Sequence, residues 1–454
     1  MRESRERALA EAGLLSFVPR AATGSGRAVV FMPLAACCAS DEDGVGGEDG
    51  NSNSAAQPPL VPPIVDVVLH KASDYLVRPL RDSQDLAAAL APPLRRLLLS
   101  NRENGAAPLV AVVVDPLDAV ARCVLDRRDI AALLARAFGP ATDETATDRP
   151  PPPPPLPVRV RGPRQLFLAE VPAGREALAG ALAAAGLAGP PYIVKTAAAC
   201  GVPHAHLMVL ALSDDALWAA LEGFEVWRPA PPKEQQQHDT TQAPAASFVP
   251  PPYPLVVQEF VDHGGVQHKV YVLGDELVYQ APARPSIPDL AEAVAAAAAL
   301  RARRSRGGEG AGQAAACLAD ELVVFDALKS LPTLLPWQGL AAAAAAAAEQ
   351  PPLQPLDPPA LRAVARRLRW ATQRQHRSQG AGGGGGGKGA EGLSLFGFDV
   401  VVARGSMARS DSAAPPPEEW VVADVNYLPS YRSGGARAAA AFGAVLLKAA
   451  ARGG

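Results

Sequence analysis

Paired cysteines are missing. The chain has 5 in 454 residues (Cys37, Cys38, Cys123, Cys200 and Cys317), an odd number without the spacing of a disulfide framework or a zinc site. That composition favours a reducing compartment, so the expected location is the cytoplasm, with access to the nucleus. Also missing is any apolar run of membrane-spanning length free of Pro, Gly or charge. Charge of one sign is scarce: a formal net charge of -3 announces neither a nucleic-acid nor a membrane partner. Any anion site must then be a local basic patch. The N-terminal stretch MRESRERALAEAG carries Glu3, Glu6 and Glu11, which fits neither a secretory signal nor an acid-poor transit peptide. A Walker loop is lacking too. The glycine run Gly382 to Gly387 leads to Lys388, but no Ser or Thr follows and no strand-to-helix setting surrounds it. It reads as a flexible linker.

What is present is too long for one small core and is repeatedly interrupted. Ser40 to Pro59 is acidic and rich in Gly and Ser, and is expected to be disordered. Pro150 to Pro155 is a stiff extended spacer. Glu225 to Pro252, Ala291 to Ala316 and Leu340 to Pro352 are polar, Pro-rich or Ala-rich insertions. Between them lie strand-like runs. IVDVVLHK ends in His70 and Lys71, and Val110 to Val114 is all apolar, as parallel strands are. A helical pattern continues from Asp115–Pro116 through Leu134, with Arg127 and Arg128 inside it. PYIVK ends in Lys195, a small-residue loop AAACG follows, and HAHLMVLAL returns. Such a loop either covers phosphates with its backbone N–H groups or is an ordinary hairpin connection. HKVYVL and ELVYQA flank Gly274–Asp275, a two-residue hairpin turn. Lys269 and Tyr271 share one face of that hairpin. Pro358 to Thr372 reads as a basic amphipathic helix.

The C-terminal stretch WVVADVNYLPSY alternates with period two, which places Asp424 and Asn426 on one face of a strand. LFGFDVVVA, from Leu395 to Ala403, carries Asp399, and a Pro-rich loop joins the two strands as antiparallel neighbours. Three oxygen ligands would then converge, a set suited to Mg²⁺. The alternative is that both carboxylates bond local backbone at strand ends.

These blocks, taken together, resemble the inositol-tetrakisphosphate 1-kinases, also called inositol-trisphosphate 5/6-kinases, of the ATP-grasp superfamily. The resemblance rests on VDVVLHK, VVVDPLDA with VLDRR, YIVK with AACG and HAHLM, QEFVDHGGVQHKVYVLGD with RPSIPD, and LFGFDVV with DVNYLPSY, in family order. It implies an α/β ATP-grasp fold with an N-terminal parallel-sheet lobe (a pre-ATP-grasp lobe) and long disordered insertions. It implies that Arg127, Lys195, Ser286 and the segment Gln258, Glu259, Phe260 and Val261 hold ATP, the segment through its backbone at the adenine edge. Lys71, His206, Lys269, Asn426 and Ser430 would meet the inositol phosphate, with Lys269 close enough to serve both substrates. Asp399, Asp424 and Asn426 would hold Mg²⁺, with two ions expected, and Lys195, Lys269 and Asp424 would carry the catalysis. The chain departs from the family pattern at Ser430, where glycine is usual, and in lacking a legible strand before Arg27.

Expected lobes are residues 1–125 on the inositol-phosphate side, 126–257 as the central ATP-grasp lobe and 258–454 as the C-terminal lobe with the metal site. The expected activity is an ATP- and Mg²⁺-dependent kinase acting on soluble inositol polyphosphates, and the expected state is a monomer. Two other readings follow from the same residues. One is a non-catalytic inositol-phosphate or nucleotide sensor; the other is an ATP-grasp carboxylate–amine ligase.

Overall fold

The computed structural model describes residues 67–69, 112–115, 117–139, 153–187, 189–200, 205–223, 251–264, 266–283, 293–294, 297–298, 321–327, 355–379, 392–403, 418–429, 431 and 435–453. In chain order the elements are β1 (Val67–Leu69), β2 (Val112–Val114), α1 (Leu117–Val124), α2 (Arg127–Phe138), β3 (Arg159–Arg161), β4 (Gln165–Leu168), α3 (Arg175–Ala184), β5 (Tyr192–Thr196) and β6 (Leu207–Ala211). There follow α4 (Asp214–Glu222), β7 (Leu255–Glu259), β8 (Gln267–Leu273), β9 (Glu276–Ala283), β10 (Leu322–Asp326), α5 (Pro358–Gln379), β11 (Leu395–Ala403), β12 (Glu419–Tyr427) and α6 (Gly435–Gly453). No helix among the described residues is long and apolar enough to cross a membrane.

The fold is α/β. One five-stranded antiparallel sheet has the order β10-β6-β5-β7-β4, and a second has the order β3-β12-β11-β8-β9, parallel only where β3 joins β12. The β1 and β2 strands form a parallel pair, with Val67 opposite Val112, as the apolar runs predict. Strands of the first sheet are apolar on both faces. Tyr192, Val194, Val209 and Val257 pack against Leu178 and Leu182 of α3 and Leu217 and Leu221 of α4. Ile193 and Leu210 face the other way, onto Phe260, Val323 and Phe325. The second sheet shares one continuous core with β2, α1, α2, α5 and α6, through Val114, Leu133, Leu368, Phe398, Trp420 and Phe442 among others.

The single helical run expected from Asp115–Pro116 to Leu134 is broken in two. Asp126 leaves the helix in extended geometry (φ -112°, ψ 136°), and its carboxylate accepts the Arg128 amide, an N-cap that starts α2 afresh at Arg127. The cap puts Arg127 at a helix N-terminus facing the loop after β5. There the Arg127 amide donates to the Ala197 carbonyl at 2.8 Å and the Ala199 amide donates to the Leu125 carbonyl at 2.8 Å.

Candidate active site

Hydrogen-bond register assembles the site. On three neighbouring strands of the second sheet, Lys269 lies opposite Asp399, and Asp399 lies opposite Asp424. Directly opposed residues have Cβ atoms about 5 Å apart on one face, so a lysine and two carboxylates form one row. The next row on that face is Tyr271, Gly397 and Asn426. A Cβ on Gly397 would stand 3.0 Å from Pro429 Cγ and 3.2 Å from Tyr271 Cδ1, so only glycine leaves this row uncrowded. A bulge between Asp399 and Val400 resets the register, with Val400 opposite Val422, and Ala423 is the extra residue. Bulges of this sort re-aim side chains at strand sites. Beyond Asn426 the chain turns through Leu428 (φ 42°) and Tyr431 (φ 53°), two buried non-glycine residues in the left-handed region. Backbone of that kind persists only where the surroundings enforce it.

Around the carboxylates the contacts are polar. Gln267 Nε2 donates to Asp399 Oδ2 at 2.8 Å. Asp424 Oδ1 accepts its neighbour's amide, Val425 N, at 2.9 Å, and Asn426 Nδ2 donates to Asp424 Oδ2 at 3.3 Å. Burial pushes Asp399 up to about 6, with the Asp424 charge adding to the rise and Lys269 opposing it. Two carboxylates set against each other in a half-buried site, with an amide beside them, form a hard-oxygen donor set that fits a divalent cation. Among the described residues no group of three His, Cys, Asp or Glu side chains converges on a metal position, here or elsewhere, so this set has two carboxylates and needs the Asn426 amide oxygen as its third donor.

Positive charge comes from the first sheet. Lys195 is buried near the end of β5, and its ammonium is pulled down to about 7, by burial first and then by Arg127, with Asp424 acting in the other direction. The Arg127 guanidinium is buried as well. Its Nη1 donates to the Thr196 carbonyl at 2.6 Å and to the Ala198 carbonyl, and Nη2 donates to the Ala205 carbonyl at 3.0 Å. Arg127 thus ties both ends of the 196–205 loop to α2. The Asp424 charge acts on both Lys195 and Arg127, so the lysine end of one sheet lies within electrostatic reach of the acidic row of the other.

Of the other residues named from sequence, Gln258 and Phe260 are buried, Glu259 and Val261 are half-buried, and all four lie where β7 leaves the first sheet. His206 is half-buried just before β6, and its carbonyl accepts the Ala327 amide at 2.9 Å. Lys71, Ser286 and Ser430 lie outside the described residues. Sequence reasoning passed over Gln267 and Arg161. The first shares a strand face with Lys269, and period-two alternation would have found it. The second, in the short run Arg159–Arg161, gave no such signal.

Two antiparallel sheets, lysine on one and a carboxylate row on the other, with an Ala-rich loop between β5 and β6, agree with the α/β ATP-grasp fold expected from the sequence. Residues 247–320 match the family model of the inositol 1,3,4-trisphosphate 5/6-kinase ATP-grasp domain. No curated protein matches the chain at the level of sequence. A solved structure, the RimK domain protein ATP-grasp from Sphaerobacter thermophilus DSM 20745, is similar at 15% identity and a TM-score of 0.32, covering 74% of this chain and 72% of that one.

Proposed function

We propose that the protein is an ATP-dependent kinase that phosphorylates hydroxyl groups of soluble inositol polyphosphates. The observation that carries this reading is the row Lys269, Asp399, Asp424 facing Lys195, in a chain whose residues 247–320 match the inositol-trisphosphate kinase domain. Two polyanions must come within bonding distance in such a reaction, and their repulsion is the main obstacle.

Buried Lys195 is the residue best placed to answer it. An ammonium held near neutrality by burial regains its full charge when a triphosphate settles beside it. Arg127 acts one step back, holding the Thr196 and Ala205 carbonyls on either side of the loop that follows Lys195. Lys269 adds charge between the two substrates. Asp399, Asp424 and Asn426 would hold the Mg²⁺ ions, which when bound offset charge on the transferring phosphoryl group. The inositol hydroxyl attacks the γ-phosphorus, the bond to the bridging oxygen breaks, and ADP leaves. The hydroxyl proton passes to solvent or a phosphate oxygen, so no strong general base is needed. His206, Lys71, Asn426 and Ser430 are assigned to the inositol phosphate, and Ser286 with the segment 258–261 to the nucleotide.

The test is a panel of inositol tris- and tetrakisphosphates offered with Mg-ATP, with position-resolved analysis of products. Phosphate transfer to one or more ring hydroxyls is the expected result. Binding of ATP and inositol phosphate without turnover on any member would leave a sensor, and turnover only with a carboxylic acid plus an amine would leave a ligase.

A further inference from the structure

The chain crosses between its two sheets at Gly162, Pro163 and Arg164, from β3 to β4, and again at residues 260–266, from β7 to β8. One side chain ties the crossings together. Arg161 pairs with Glu259 through Nη1 and with Glu419 Oε2 through Nε at 3.0 Å, and Nη1 also donates to the Gly162 carbonyl at 3.1 Å. These side chains are 27%, 18% and 26% exposed for Arg161, Glu259 and Glu419, so the cluster is shielded well beyond a surface ion pair. A Cβ on Gly162 would stand 2.9 Å from Leu134 Cβ, which shows how closely this crossing sits on α2.

Glu259 departs from its sheet's ladder in an informative way. Its amide donates to the Arg164 carbonyl at 3.0 Å, one half of an antiparallel pair. The other half would run from the Arg164 amide to the main-chain carbonyl of Glu259. Instead the Arg164 amide donates to the Glu259 side chain, Oε1, at 2.7 Å. The carboxylate takes the ladder bond in place of its own carbonyl. The next amide, Phe260, is given to the Pro191 carbonyl at 3.1 Å. These main-chain bonds leave the Val261 amide as a donor and the carbonyls of Glu259, Phe260 and Val261 as acceptors for a base, and of these the Glu259 carbonyl is the one that the carboxylate keeps out of the β4–β7 ladder.

We propose that Glu259 and Arg161 are positioning residues for the nucleotide: the carboxylate, held by Arg161, draws the Arg164 amide to itself and so releases the Glu259 carbonyl for the amino group of adenine. The proposal rests on the nucleotide half of the function given above and is independent of the phosphate acceptor. Removing the carboxylate returns the ladder bond to the main chain and occupies the acceptor, while the phosphate-binding lysines are untouched.

Calorimetric titration of full-length protein with ATP and with inorganic tripolyphosphate, each with Mg²⁺, separates these effects. Glu259→Ala should weaken ATP about tenfold, the scale of one lost hydrogen bond, with tripolyphosphate within about twofold of wild type. Glu259→Gln, which keeps an acceptor oxygen, should stay near wild type for both probes. Unchanged ATP affinity in Glu259→Ala overturns the proposal, as does an equal loss for both probes, which is the mark of a merely structural role. Should Glu259→Ala fail to fold, Arg161→Ala is judged by the same split between the probes. Wild-type protein that binds tripolyphosphate but shows no preference for ATP overturns this proposal alone, and wild-type protein that binds neither overturns the nucleotide reading with it.

Discussion

Asp399 and Asp424 are opposed across a strand pair, and a carboxylate raised to about 6 by burial and a like-charged neighbour destabilises its own strand. Such an arrangement is tolerated where a cation is to come. Asp424→Asn keeps the shape and removes the charge, so kcat should fall by about 10²-fold or more at saturating Mg²⁺, with the melting temperature held. Near-normal turnover would remove Asp424 from the metal set. Asp115 carries a different prediction. It is buried, its oxygens accept the Ser394 amide at 2.8 Å and the Leu395 amide at 2.9 Å, and burial lifts it from 3.8 to about 6. Between those pH values the folded chain holds a proton that the unfolded chain has released, so this group's contribution to stability falls as pH rises and is lowest above pH 6. The stability of wild type relative to Asp115→Asn should therefore decline from pH 4 to pH 7, by about 3 kcal/mol at most, as read from paired melts. A flat difference would place the ordinary carboxylate value inside the fold. Residue types were legible where alternation fixed a face, as for Asp424 and Asn426. The partners of Arg127 were not, because its guanidinium bonds carbonyls 69, 71 and 78 residues along the chain.

The entry to β11 shows how an element is held in place. Its three leading amides go to side chains: Leu393 N donates to Thr372 Oγ1 of α5 at 3.0 Å, and Ser394 N and Leu395 N donate to Asp115. Gly274 N donates to the Ser394 carbonyl at 2.8 Å, and Leu428 N to the Leu395 carbonyl at 3.0 Å. The strand is thereby clamped four residues before Asp399. Gly392 makes the clamp possible, since a Cβ there would stand 2.3 Å from Thr372 Oγ1 and 2.8 Å from the Arg369 carbonyl, which is backbone and cannot yield. Gly392→Ala should cost about 1–3 kcal/mol and lower kcat more than it raises the KM of either substrate, because it shifts the strand that carries Asp399. Melting and steady-state kinetics check both, and an unshifted melt would show that the approach has slack. Elements with strong alternation were read to the residue: Leu395 to Ala403 is β11, and the turn at Gly274–Asp275 is where β8 meets β9. The short β3 and β4, β10 between two low-complexity tracts, and the Ala-rich α4 and α6 went unread. Strands of three to five residues carry too little period, and an Ala-rich helix shows little contrast between its faces.

At the scale of the molecule, motif order suggested lobes at 1–125, 126–257 and 258–454, whereas packing draws on the chain out of order. Helix α2 joins the core of the second sheet, and β10 returns to the first sheet after β8 and β9. Pairing order is a long-range property that no local pattern encodes. One consequence can be measured. The first sheet's cores and the continuous core around the second sheet are separate apolar bodies, joined at the site by polar groups such as Arg127 and Arg161. Apolar burial supplies most of the cooperativity of unfolding, and a few shielded hydrogen bonds supply little. Calorimetry of the ligand-free protein should therefore resolve two transitions. A nucleotide gripped by Lys195 on one sheet and by the Asp399 and Asp424 row on the other binds only when both are folded, so Mg-ATP at 100 times its Kd should add about 2.7 kcal/mol and draw the transitions together. Asp424→Asn should keep the ligand-free pattern and lose most of that Mg²⁺-dependent convergence. If ATP raised only one transition, or a single transition were seen with and without ligand, the nucleotide would not be bridging the two sheets, and the catalytic arrangement proposed for this chain would have to be abandoned.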